Sequence, residues 1–125
     1  ADAGRDILYV KDAVAAVVRA LDTPEARGLY NIASGHRLTL REQAETIARV
    51  FGPPAAPPAV TFRPEKPNSI ETYVYDISRA QRELGWTPRY SFEDMLRDYR
   101  VEEARGRYSY LLEKRRRMLD DRPQE

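Results

Sequence analysis

Arg5-Asp6-Ile7-Leu8-Tyr9-Val10-Lys11-Asp12 runs without a break into Ala13-Val14-Ala15-Ala16-Val17-Val18-Arg19-Ala20-Leu21. Asp6 to Val10 carries β-branched and aromatic residues behind Gly4 and reads as a short strand. Ala13, Val14, Val17, Val18 and Leu21 then recur at helical spacing, which predicts a helix over 11–22. Asp12 falls in its first turn, where a carboxylate favours the positive end of the helix dipole, and Thr23-Pro24 stops it. A strand feeding a helix makes the chain mixed α/β from its first twenty residues.

The remainder extends that pattern. Gly28 to Ala33 is nearly apolar, as a strand covered on both faces would be, and Ser34-Gly35-His36 is a turn. Thr39-Leu40-Arg41-Glu42 is a capping box opening a helix over 40–51, with Leu40, Ala44, Ile47, Ala48 and Phe51 on one face. Gly52 is expected as a left-handed stop before Pro53-Pro54. Residues 53–58 hold four prolines and two alanines, a stiff extended spacer. Val60 to Arg63 suggests a brief strand, Pro64 to Ser69 a loop, and Glu71 to Tyr75 a strand with Tyr73 and Tyr75 on one face. Asp76 fits as the cap of a helix over 77–84 closed by Gly85.

Ser91 caps the last helix, with Glu93 and Asp94 in its first turn and Phe92, Met95, Leu96 and Tyr99 on its apolar face. Tyr108, Leu111, Leu112 and Leu119 would extend it past Gly106, which weakens the join by about 1 kcal/mol. The last six residues are expected to fray. The expected architecture is therefore mixed α+β, with about four helices and three to four short strands.

Composition removes several functions. The 125 residues carry 21 Lys+Arg against 20 Asp+Glu, so no global field favours nucleic acid. The basic run Lys114-Arg115-Arg116-Arg117 reads instead as a complement to a helix C-terminus. The longest purely aliphatic run is Ala13 to Val18, too short for a membrane span. There is no cysteine and a single histidine, His36, read as a loop residue. Thiol chemistry and a His-rich metal site are thereby excluded.

Glu102-Glu103 and Asp120-Asp121 read as solvated carboxylates rather than a catalytic pair. The glycines at 4, 28, 35, 52, 85 and 106 never approach GxGxxG or GxxxxGK spacing, so the chain carries no phosphate-cradling glycine loop. Tyr110 and Lys114 stand at Tyr-x-x-x-Lys spacing inside the charged tail, a coincidence on this reading. No charged-then-apolar leader precedes the first strand, so a cytoplasmic protein is expected. The first residue is not methionine, and we expect the chain to be cut from something longer or processed.

Five strings, in order, carry a resemblance. They are Arg5 to Asp12, Leu29-Tyr30-Asn31-Ile32-Ala33-Ser34-Gly35, Leu38 to Glu42, Asp76-Ile77-Ser78-Arg79-Ala80, and Glu83-Leu84-Gly85-Trp86-Thr87-Pro88. Together they resemble the C-terminal part of the extended short-chain dehydrogenase/reductases (SDRs), the NAD-dependent epimerase/dehydratases typified by UDP-glucose 4-epimerase and dTDP-glucose 4,6-dehydratase. The resemblance covers about residues 4–100. It implies a C-terminal substrate-binding portion over 1–100, without the Rossmann nucleotide-binding core, and leaves 101–125 as a charged helical tail. In the family, the N-terminal two-thirds binds NAD and carries the catalytic Tyr-x-x-x-Lys, while the C-terminal third binds the nucleotide-sugar.

By the same resemblance, Arg5 matches an arginine that contacts the nucleotide diphosphate. The family's second arginine lies in an Arg-Pro-Gly-Asp segment ten residues before Asp76, where this chain has Lys66-Pro67-Asn68-Ser69. Lysine lacks the planar bidentate donors that a diphosphate favours, and Arg63 is a possible substitute. Tyr73 falls where some epimerases place a nucleotide-contacting aromatic. Each residue also has a plain structural alternative: Arg5 a solvated strand-edge charge, Lys66 a loop lysine, Tyr73 a core residue, Asp76 a helix cap, Trp86 a packing residue.

The resemblance thus implies the nucleotide-sugar-binding portion of an NAD-dependent sugar epimerase/dehydratase, taking a UDP- or dTDP-linked sugar. This chain would hold no catalytic residue and no metal, and alone would bind no NAD, which belongs to the intact enzyme. Two charge-assisted contacts contribute about 3–6 kcal/mol against association costs of at least about 4 kcal/mol, so the chain alone should bind no better than millimolar. Its partners would be the missing N-terminal Rossmann domain, whose sheet the Gly28–Ala33 strand would join, and further copies in a homo-oligomer, since an open strand edge invites pairing. The alternative is a stand-alone, non-catalytic interaction or oligomerisation module derived from that fold.

Overall fold

The computed structural model describes residues 3–53, 55–56, 58–62 and 73–120. Within them the chain forms β1 (Gly4–Arg5), α1 (Val10–Leu21), β2 (Leu38–Thr39), α2 (Leu40–Phe51), α3 (Ser78–Leu84), α4 (Phe92–Ala104) and α5 (Ser109–Asp120). β1 and β2 pair antiparallel, Gly4 opposite Thr39 and Arg5 opposite Leu38. The fold is mixed, with helices dominant and a small sheet.

Local rules set the helix boundaries. Thr39 Oγ1 accepts the Glu42 N–H and the Glu42 carboxylate accepts the Thr39 N–H, the capping box that opens α2. Ser91 and Asp94 do the same for α4. Asp76 Oδ1 accepts the Ser78 N–H at the head of α3, and Gly85 closes that helix in the left-handed region at φ 60°. Gly52 departs from expectation. It is extended, φ −71° and ψ 161°, because the residue before a proline is pushed out of the helical region.

The expected strands are the main correction. Asp6 to Val10 is not a strand: no segment pairs with it among the described residues, and Val10 already opens α1. Gly28 to Ala33 forms no ladder either. The Arg79 guanidinium instead donates to the carbonyls of Arg27 and Leu29, at 2.8 and 3.0 Å, and stacks over Tyr30. Residues 60–62 and 73–75 are also outside any strand, while 63 and 71–72 lie outside the described residues. The single extended last helix is two, α4 and α5, separated at Gly106, where φ is 72°.

The core lies between α1 and α3. Ala16, Ala80, Leu84 and Trp86 form it, with Leu8, Ala15, Tyr30 and Ile32 against it. α1 has the expected helical repeat, yet its valines face outward: Val10, Val14, Val17, Val18 and Leu21 are exposed, and Asp12 and Ala16 are buried. Trp86 takes its packing role. A second layer joins α2 to α4 through the edge-on rings of Phe51 and Tyr99 and through Arg100, which donates to the Val50 carbonyl at 2.6 Å.

Glu102 corrects the reading of a solvated carboxylate. It is only 5% exposed, paired with Lys11 at 3.5 Å, Arg105 at 3.4 Å and Arg107 at 2.8 Å. Asp98 completes this cluster, taking Lys11 at 2.6 Å and the Tyr9 hydroxyl at 2.5 Å.

These bonds give a pH prediction. Hydrogen bonds from Thr39 hold Glu42 below the usual carboxylate range, and Ser78 does so for Asp76, Arg79 for Glu83, Arg97 for Glu93, Ser91 for Asp94 and Lys11 for Asp98. Folded values below unfolded ones mean stability that is present above the unfolded values, near about 4, and drains away as pH falls through the folded ones. The melting temperature should therefore be level from about pH 7 to about pH 5 and fall steeply below about pH 4. A melting temperature unchanged down to about pH 3 would contradict this.

Candidate functional site

The site begins at the end of β1. Pairing with Leu38 holds the Arg5 backbone, and its side chain is exposed. The next residue, Asp6, turns inward. Its Oδ1 accepts the Ser34 N–H at 2.7 Å and the Ser34 hydroxyl at 2.6 Å. Its Oδ2 accepts the Gly35 N–H at 3.0 Å and, more weakly, the Tyr75 N–H at 3.4 Å. One carboxylate thus gathers the chain at 5–6, the Ser34-Gly35 turn and the segment before α3. Gly35 has φ 72°, and a Cβ there would meet Ile77 Cδ1 at 3.2 Å, so glycine suits the turn on both counts.

The third segment brings aromatic rings. Tyr73 and Tyr75 are exposed, Tyr73 at 57%, and meet edge to face with ring centroids 5.3 Å apart. The proximity of Tyr73 pushes the Tyr75 phenol above its ordinary range. The Asn31 side-chain amide donates to the Asp76 carbonyl at 3.0 Å, tying the same segment to the 29–33 stretch. A surface cavity of about 330 Å³ opens here, lined by Ser34, Gly35, His36, Tyr75, Asp76 and Ile77. That lies at the small end of ligand pockets.

Of the residues singled out from sequence, Arg5 and Tyr73 both stand on segments that Asp6 joins. Tyr73 is exposed in this chain and not in its core. Arg63 and Lys66 lie outside the described residues. Asp76 stands one residue ahead of Ile77, the N-cap of α3, and accepts the Ser78 N–H at 2.8 Å. His36 is exposed in the turn. Asp6 is the residue that sequence reasoning missed. Its only signal was its place between Arg5 and the apolar run, which a strand reading absorbs.

Among the described residues no cluster of His, Cys, Asp or Glu could hold a metal ion. The site offers an exposed guanidinium, flat aromatic surface and backbone polar groups, the donor set for an anionic, ring-bearing ligand.

Residues 1–99 match the profile of the family described as GDP-mannose 4,6 dehydratase. The chain is 31% identical over 90 residues to the dTDP-4-dehydro-6-deoxyglucose reductase of Escherichia coli, covering 72% of this chain and 28% of that protein. Among solved structures it is similar to UDP-glucose 4-epimerase from Bifidobacterium longum in complex with NAD+ and UDP. That match has a TM-score of 0.62 and 26% identity, over 77% of this chain and 28% of that one. It is also similar to the Bordetella bronchiseptica enzyme WbmF in complex with NAD+ and UDP, with a TM-score of 0.70 and 25% identity, over 94% and 33%. The chain spans about a quarter of the length of the curated relatives it matches.

Proposed function

The chain belongs to the GDP-mannose 4,6 dehydratase family of NAD-dependent epimerases and dehydratases, the extended SDRs, and from that premise we propose that it is the nucleotide-sugar-binding C-terminal portion of such an enzyme. The observation that carries the reading is the exposed Arg5 on the same Asp6-tied corner as the Tyr73–Tyr75 pair. Arg5 supplies a planar donor for a diphosphate, and the rings supply flat surface for a base or sugar. Two of the similar structures hold UDP, which supports that nucleotide as the first probe. NAD and the hydride step belong, on this reading, to the remainder of the enzyme.

Two further features support the reading of an absent neighbour. The outward face of α1 exposes Val10, Val14, Val17, Val18 and Leu21, with Leu21 at 79%, and Leu29 stands 90% exposed on the unpaired stretch beside it. A contiguous apolar patch beside open backbone suits a covering domain, here the cofactor-binding one. In its absence the same face would drive association between copies. The division into 1–100 and a charged helical tail over 101–125 is part of the proposal.

The test is an amide-resolved NMR titration of the chain with UDP, dTDP-linked sugars and NAD. Uridine diphosphate should shift signals around Arg5, Ser34 and Tyr73 with millimolar affinity, and NAD should leave them in place. Arg5→Ala removes a charge-assisted contact and should weaken UDP by about tenfold. Unmoved signals with UDP, or an Arg5→Ala chain that binds as well as the wild type, would refute the reading.

A further inference from the structure

Asp6 sits beside the proposed diphosphate contact, yet its chemistry points away from the ligand. A carboxylate offers about four lone-pair sites. All four directions are taken: Oδ1 by the Ser34 N–H and hydroxyl, Oδ2 by the Gly35 and Tyr75 N–H groups. It has no acceptor left for a ribose hydroxyl. Its four donors come from two segments distant in sequence, 28–29 residues away for the turn and 69 for Tyr75. β1 and β2 pair over only two residues each, so the ladder alone is a weak mount for Arg5.

We propose that Asp6 is a positioning residue, which fixes the Arg5 backbone against the Ser34-Gly35 turn and the Tyr73–Tyr75 segment and thereby sets the geometry of the nucleotide site. The proposal rests on the nucleotide-binding reading above. The carboxylate is the common anchor for both halves of the site. Without it the guanidinium and the rings sit on separately moving pieces of chain. A recognition constellation loses affinity steeply once its members drift by about 1 Å. Asparagine is the informative replacement: it keeps the shape but turns one acceptor oxygen into an NH2 facing N–H donors.

Asp6→Asn, Ser34→Ala and Trp86→Phe are compared with the wild type by UDP titration, with melting temperatures recorded. Asp6→Asn is expected to raise the UDP dissociation constant about tenfold, and Ser34→Ala, which removes one of the four bonds, about threefold. Trp86→Phe, a lost hydrogen bond in the core between α1 and α3, should lower the melting temperature comparably while leaving UDP affinity unchanged. The Ser34 and Gly35 amide proton signals should also move upfield in Asp6→Asn as the charged acceptor is lost. If the wild type binds UDP and both Asp6→Asn and Ser34→Ala bind within twofold of it, the positioning role is overturned while the nucleotide reading stands. If Asp6→Asn does not fold, Ser34→Ala decides alone, and unchanged affinity overturns the role. Failure of the wild type to bind UDP overturns both.

Discussion

Asp12→Ala should be among the most damaging single substitutions in this chain, costing about 2–5 kcal/mol. Asp12 is 1% exposed in the first turn of α1. Its carboxylate leaves the helix to accept the Arg89 and Tyr90 N–H groups at 2.9 and 3.1 Å, and its backbone carbonyl accepts the Trp86 indole N–H at 3.0 Å. Alanine removes the acceptor and strands two part-buried backbone donors, each costing about 1–3 kcal/mol. Domains of this kind hold about 5–15 kcal/mol in total, so the loss is a large share. Urea denaturation followed by circular dichroism should show the midpoint falling, and Asp12→Asn, which keeps one acceptor, should fall between. A loss below about 1 kcal/mol would mean that water or a shifted loop satisfies those donors.

The second large effect is expected at Trp86. The indole is 3% exposed and packs among Ala16, Ala80 and Leu84. Two of those three neighbours are alanines, small enough to admit the ring and too small to fill the space it leaves. Trp86→Ala should therefore cost about 3–5 kcal/mol, toward the upper end for core truncations. Trp86→Phe keeps most of the volume and loses the bond to the Asp12 carbonyl, so about 1–2 kcal/mol is expected. Circular dichroism is the right probe, since Trp86 is the chain's single tryptophan and its fluorescence disappears with it. Equal losses in the two variants would assign the energy to the hydrogen bond and not to the cavity.

What could be read from sequence was what neighbours in the chain decide. The capping box at Thr39–Glu42 spans four residues and the Ser91 cap needs only its own first turn, and both helices start where those residues say. Gly85 ends α3 as expected, while Gly52 was misjudged because Pro53 overrides a glycine's freedom. Strands need a partner that no local rule supplies, and neither Asp6–Val10 nor Gly28–Ala33 has one among the described residues. Glu102 was misread for a similar reason: burial became tolerable only once Lys11, Arg105 and Arg107 converged on it. At the site, family resemblance pointed to Arg5 and Tyr73, but the carboxylate between their segments was visible only as geometry.

The Arg79 guanidinium has a consequence for how copies of this chain behave when crowded. Its two bonds occupy the Arg27 and Leu29 carbonyls, at the start of the stretch whose backbone lies open. An incoming strand seeking those acceptors must first displace a charge-assisted bond at each. One arginine from α3 thus keeps two carbonyls of this stretch engaged within its own chain, where a second copy would otherwise find them free.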